Sequence, residues 1–362
     1  MSEVDIVEQY TLIRPQYEIF TERTRTLIDE LLKIQGIKTH LIEGRTKTVD
    51  SFREKIRRPE KSYADPLAEL SDLSGVRIIV YYLDDVQKVA DILSSQFTVL
   101  ESESSHLASE YSPDRFGYIS LHSVISLNPD REKLPEWKAY KGYRSEIQIR
   151  TVLQHSWAAV SHALQYKHES DVPKQLRRKL YRLSGLFELA DEEFISVRNE
   201  TELLRTKTVQ ALDRGNMEVP LNSISLSEFI QRWDKFGELK LLMESIGFIF
   251  ASPPFDEHEH DDKDYFGEFA SHCEKLGIRT IQELESIIDY DAESFLKRIY
   301  NDSDWFVSEG FALSLLLIRA RVDEFTVNDL VSAGWGSIIA TRVIDAAIED
   351  RKDSSRPKGR RN

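Results

Sequence analysis

Glu146, Gln148 and Arg150 alternate with Ile147 and Ile149. A period of two puts the three polar groups on one face of a half-buried strand, with the isoleucines anchoring the other. An acid, an amide and a guanidinium on one face can floor a metal-phosphate site, because carboxylate oxygen suits a hard cation and guanidinium answers phosphoryl oxygens. The pattern recurs at Tyr118, Ser120 and His122, with Ile119 and Leu121 opposite them. There a tyrosine beside Gly117 offers a stacking surface for a base, or equally a cross-strand aromatic of an antiparallel sheet. Asp72 stands at the mouth of the apolar run Ile78 to Tyr82, a central strand, in a place where an aspartate also serves as a turn residue. Arg45, Lys47 and Lys55 lie in a basic segment entering a helix that ends before Pro59. They read either as a cation clamp on a triphosphate or as a solvated face.

These side chains need a scaffold. Tyr17, Phe20, Thr24, Leu27, Leu31 and Ile34 have the spacing of an amphipathic helix ending near Gly36. Residues 84 to 93 resume a helical pattern and Phe97 to Leu100 reads as a strand, whereas 101 to 114 suits an exposed loop. The sum is an α+β domain, a mixed sheet flanked by helices. Leu176, Leu180, Leu183, Phe187, Ala190, Phe194 and Val197 form a heptad seam. Its partner is either the 15–34 helix of the same chain or a neighbouring subunit, so a homo-oligomer through 15–34 and 174–200 stays open.

The chain has 362 residues, 41% hydrophobic content and a net charge of -14. That suffices for two domains and excludes both a wholly disordered chain and a general nucleic-acid coat. Its single cysteine, Cys273, excludes an intrachain disulfide framework and a cysteine-based zinc site. Met1 to Tyr10 holds no apolar run, and Phe311 to Ile318 is too short to span a bilayer. We expect no membrane insertion and a cytoplasmic location.

Four segments then agree in order and spacing. Arg45-x-Lys47-x-x-x-Ser51, Asp72-Leu-Ser-Gly-Val-Arg77, Gly117-Tyr118-x-Ser120-Leu-His122 and Glu146-Ile-Gln148-Ile-Arg150-Thr resemble the synthetase domain of the RelA/SpoT-homologue family, and most of all its small alarmone synthetases. The resemblance covers roughly residues 15 to 205 and implies a nucleotidyltransferase-like fold. It implies that Asp72 and Glu146 hold Mg2+, and that Glu146 accepts the proton of an attacking ribose 3'-hydroxyl. It further implies that Arg45 and Arg77 flank the adenine of ATP, that Lys47, Ser51 and Lys55 meet phosphates, and that Tyr118 stacks on the acceptor base. Ser120, His122, Gln148 and Arg150 would complete the acceptor side. The implied reaction moves the β,γ-pyrophosphate of ATP to GDP or GTP, giving ppGpp or pppGpp and AMP.

Asp114-Arg115-Phe116 stands where alarmone-making relatives carry Lys and Asn, and Ser161-His162 where they carry Glu-His. Both changes fall on the acceptor side, so two rivals stay open. One is a toxic relative that modifies the tRNA 3'-CCA end or adenine nucleotides, with Arg177, Arg178, Lys179 and Arg182 as a tRNA landing surface. The other is an inactive nucleotide sensor. The stretch ahead of Arg45 is too short for the hydrolase domain of bifunctional members.

The resemblance ends near Asn216. The expected organisation is a synthetase domain over 1–210, a linker over 211–227, a mainly helical domain over 228–350 and a disordered basic tail over 351–362. Helices are expected over 228–249, 280–289, 292–300, 311–320 and 326–350, the last with a glycine break. Thr280 and Thr326 open similar capping boxes. The helical domain would bind a protein regulator or its own synthetase domain; His258, His260 and the acids around them are a weak candidate metal cluster.

Overall fold

Strand faces decide the architecture. The computed structural model describes residues 3–58, 63–103, 120–163, 173–250, 265–300 and 305–354. These divide into two compact units, Met1–Asn199 and Glu200–Asn362.

The first unit opens with α1 (Glu3–Ile34), β1 (Thr39–Thr46), α2 (Val49–Ile56) and α3 (Pro66–Glu69). It continues through β2 (Ser74–Val80), α4 (Leu83–Gln96), β3 (Phe97–Glu103), β4 (Leu121–Leu127), β5 (Arg144–Thr151) and α5 (Val152–Ala163). Helix α6 (Lys174–Asp213) runs on past the unit boundary. The strands form one sheet in the order β1-β2-β5-β4-β3, in which only β2 and β5 pair in parallel. Ile78, Val80, Ile147 and Ile149 are fully buried and pack with Phe20, Ile28 and Leu32 of α1 and Val86, Val89 and Leu93 of α4. Each such side chain contributes about 1.5–3 kcal/mol on leaving water. With one sheet face thus sealed, the alternate residues of the same strands form a polar face.

A buried hydroxyl chain fixes where the strands begin. Thr21 Oγ1 donates to Ser74 Oγ at 2.8 Å, Ser74 Oγ lies 3.0 Å from Ser145 Oγ, and Thr46 Oγ1 donates to Thr21 Oγ1 at 3.1 Å. Helix α1 is therefore tied to β1, β2 and β5 at the edge that carries the chemistry.

Helix α1 is far longer than the Tyr17-to-Ile34 pattern required, and it spends its stripe on the sheet. The seam on α6 is helical as expected, yet Leu176, Leu183, Phe194 and Val197 are exposed. Within the chain α6 is also held by polar contacts: Thr151 Oγ1 of β5 donates to Asp191 Oδ2 at 2.9 Å, and Arg198 grips both oxygens of Asp84 at the start of α4.

The second unit is helical: α7 (Ser223–Ile230), α8 (Asp234–Ile246), α9 (Tyr265–Lys275), α10 (Ile281–Ile287), α11 (Glu293–Ile299), α12 (Glu309–Ala320), α13 (Val327–Ser332) and α14 (Ser337–Ser354). Two short parallel strands, β6 (Phe248–Ile249) and β7 (Trp305–Phe306), interrupt it. The expected 228–249 helix is broken at Gln231–Trp233, and the expected linker is entered by α6 and left by α7. Capping boxes form at Thr280 and Thr326, and a third at Asn222. Trp233 and Trp305 are buried in the apolar core, against which Trp335 packs. Helix α14 continues to Ser354, into the stretch read as a tail; His258, His260 and their acidic neighbours lie outside the described residues.

Candidate active site

Parallel pairing of β2 and β5 brings the two acids together. Both strands start at the same sheet edge, so Asp72, in the turn before β2, meets Glu146, which pairs with Gly75. Arg77 pairs with Gln148, and antiparallel β1 sets Arg45 opposite Gly75 and Glu43 opposite Arg77. Gly75 thus stands between Arg45 and Glu146 without a side chain, which leaves the floor open. Above it lies a cavity of roughly 720 Å3 lined by Arg45, Lys47, Ser51, Lys55, Asp72, Arg77, Glu146 and Gln148, along with Glu43, Glu54 and Arg58.

The basic wall is held from behind. The Lys47 carbonyl accepts from Tyr10 Oη at 2.7 Å and Arg14 Nε at 3.1 Å, and its N–H donates to the Leu73 carbonyl at 3.0 Å. Thr48 caps α2 by accepting from the Ser51 N–H, which sets Ser51 and Lys55 on the turns that face Asp72. Lys47 Nζ and Lys55 Nζ each donate to Asp72 Oδ2 at 2.6 Å. Asp72 Oδ1 is buried and has no hydrogen-bond partner. Burial pushes the Asp72 carboxyl up, but the two lysines outweigh it and hold it below the usual carboxylate range.

Glu146 Oε1 accepts from Gln148 Nε2 at 3.0 Å and lies 3.3 Å from His122 Nδ1. The His122 contact, opposed by burial and helped by Gln148, keeps this carboxyl below its ordinary value despite the nearby Asp72 charge. Ser120 Oγ sits 2.7 Å from His122 Nε2. Arg150 donates to Gln148 Oε1 at 2.7 Å and is absent from the cavity lining. Tyr118 lies outside the described residues, as do the side chains of Ser161 and His162.

An orphaned carboxylate oxygen beside a second ionised carboxylate is an oxygen donor set suited to a hard divalent cation. Among the described residues no group of three or more acidic, histidine or cysteine side chains converges. Two carboxylates with the remaining positions left for water and phosphate is the arrangement such a cation accepts.

Glu43, Glu54 and Arg58 also line the cavity, and nothing in the sequence pattern singled them out. His155, on α5, is pushed down by burial and by the charges of Arg77 and Arg150. Strand β1 was not legible because, as an edge strand, it buries almost nothing and shows no alternation. Its Glu43 and Arg45 share the polar face all the same.

Two carboxylates, flanking ammonium and guanidinium groups and a parallel strand pair make an α+β site whose chemistry suits phosphates. Residues 44–171 match the family model described as a region found in RelA / SpoT proteins. The GTP pyrophosphokinase YjbM of Bacillus subtilis (strain 168) is 33% identical over 204 residues, 52% of this chain and 90% of that relative. A second relative in that strain, the GTP pyrophosphokinase YwaC, is 27% identical over 162 residues, 44% of this chain and 74% of the relative. Among solved structures, small alarmone synthetase 1 from Bacillus subtilis is similar at 25% identity with a TM-score of 0.42, over 54% of this chain and 98% of that one. The chain belongs to the RelA/SpoT family.

Proposed function

We propose that Met1–Asn199 carries a GTP/GDP 3'-pyrophosphokinase, which transfers the β,γ-pyrophosphate of ATP to the 3'-hydroxyl of GDP or GTP. The products are ppGpp or pppGpp and AMP. The observation that carries this reading is Asp72: one oxygen held by two lysines and the other bare, in a cavity shared with Glu146. Support for the acceptor comes from the two relatives named as GTP pyrophosphokinases, one of them matched over most of its length.

Asp72 and Glu146 would hold Mg2+, which when bound offsets charge on the phosphates. Lys47 and Lys55 have a second use: triphosphate oxygens compete with Asp72 for their ammonium groups, so nucleotide entry draws the lysines off the carboxylate. Arg45 and Arg77 project from neighbouring strands and can flank adenine, while Ser51 faces the phosphates. Glu146, ionised at neutral pH, takes the proton as the ribose 3'-oxygen bonds to the β-phosphorus. The bond from that phosphorus to the bridging oxygen breaks, and AMP leaves with the oxygen. Ser120, His122 and Gln148 border Glu146 on the acceptor side, where Tyr118 is assigned to the acceptor base.

Incubation of the full chain with ATP, GDP and Mg2+ tests this. The expected result is AMP and a 3'-pyrophosphorylated guanine nucleotide in equal amounts, both formed far more slowly in Asp72→Ala. Binding of both nucleotides without AMP release would leave a sensor rather than an enzyme.

A further inference from the structure

Arg150 shares the polar row with Glu146 and Gln148, yet its surroundings differ from theirs. It is 8% exposed and lines no part of the cavity, whereas Glu146 and Gln148 both do. Its Nη2 donates to Gln148 Oε1 at 2.7 Å, and Gln148 Nε2 donates to Glu146 Oε1 at 3.0 Å. A side-chain amide has one accepting end and one donating end. A guanidinium only donates, so it claims the carbonyl end and leaves the NH2 end turned to the carboxylate. On the other flank His122 reaches the same Glu146 oxygen at 3.3 Å.

We propose that Arg150 is a positioning residue: it touches neither nucleotide, and it fixes the Gln148 amide so that Glu146 is held in the orientation that transfer requires. This rests on the role given to Glu146 above. Without the guanidinium the amide is free to turn, and a turned amide sets its carbonyl oxygen against the carboxylate and repels it. Arg150 Nε is buried without a partner. A purely structural cation would be poorly served by that, since an unmet buried donor is itself destabilising.

The test uses the full chain and two readouts. Selective 15N labelling of glutamine reports the Gln148 side-chain amide, assigned by its loss in Gln148→Leu. Steady-state kinetics are measured for Arg150→Met, Arg150→Lys, Gln148→Leu and the Arg150→Met/Gln148→Leu double variant. Arg150→Met is expected to shift the Gln148 amide signals and to lower kcat about 10- to 100-fold, the usual effect of losing a supporting contact to a site carboxylate. KM for both nucleotides stays within about twofold, because no ground-state contact is lost. Arg150→Lys, which keeps a cation and a donor, recovers most of kcat. The double variant is no slower than Gln148→Leu alone, since both act through one amide. A raised KM with kcat unchanged would mean direct substrate contact and would overturn the proposal. So would losses that multiply in the double variant, or Gln148 signals unmoved in Arg150→Met. Absence of transfer by the unmodified chain would instead strike the reading of the site, while the amide signals would still decide what Arg150 holds.

Discussion

Asp72 in the first unit and Asp350 in the second are both acids gripped by cations, and they differ in what is left over. Asp350 has both oxygens taken: Ser294 Oγ donates to Oδ1, and Arg319 Nε donates to Oδ2 at 2.8 Å. Arg319 also donates to the Asp289 carbonyl at 3.2 Å, which ties α12 and α14 to the loop before α11. Asp72 has one oxygen doubly held and one bare. A closed network holds helices together. An open one keeps coordination capacity in reserve, and that reserve is what a ligand uses.

The contrast predicts opposite consequences of mutation. The largest effect is on turnover: Glu146→Gln and Asp72→Ala should each lower the transfer rate about a thousandfold, the scale of losing a group that answers transition-state charge. Thermal melting should show the Glu146→Gln midpoint barely moved, whereas Asp72→Ala, which leaves Lys47 and Lys55 side by side without their counter-charge, should also melt somewhat lower. Asp350→Ala should do the reverse. Breaking a buried pair by removing one partner costs about 3–5 kcal/mol, read as a lower denaturant midpoint for the second unit with transfer retained.

Lys55→Met removes one of the two ammonium groups on the open side. With Lys47 left in place, KM for ATP should rise about tenfold, as for loss of one charge-assisted phosphate contact. The smallest expected effect is a pH dependence. Burial raises the Asp350 carboxyl, but Ser294 and Arg319 together bring it below the usual 3.8. Its stabilising contribution is therefore complete above that unfolded value and is lost as pH falls through the lower folded one. Unfolding of the second unit followed by circular dichroism between neutral and acid pH would show it, and Asp350→Ala should flatten the dependence.

Strict alternation made Glu146, Gln148 and Arg150 legible, because a strand with one sealed face must write its other face at every second residue. A different signal located Asp72: the continuous apolar run after it has to be a central strand. What alternation cannot write is pairing. That β2 and β5 are parallel neighbours depends on contacts between residues some 70 positions apart, as between Ser74 and Ser145. Arg150 shows the limit within a single strand: its place in the row was visible, but not that it faces Gln148 rather than the cavity. In the second unit, capping chemistry at Thr280 and Thr326 announced the starts of α10 and α13. The break at Gln231–Trp233 had no such signal, because Trp233 continues the apolar pattern across it. The heptad seam on α6 was read correctly as helix, but periodicity does not say what covers it, and Leu183, Phe194 and Val197 remain exposed.

The acceptor proposed for the open Asp72–Glu146 site is a guanine nucleotide. This assignment is tested most directly with ATP labelled at the β-phosphate, offered to the full chain and to Glu146→Gln with GDP, GTP, ATP and tRNA competing as acceptors. Label is expected on the guanine nucleotides, matched by AMP, and its rate of appearance should fall about a thousandfold with Glu146→Gln. Label carried by tRNA or by an adenine nucleotide, or transfer in Glu146→Gln at a rate near that of the unmodified chain, would contradict it.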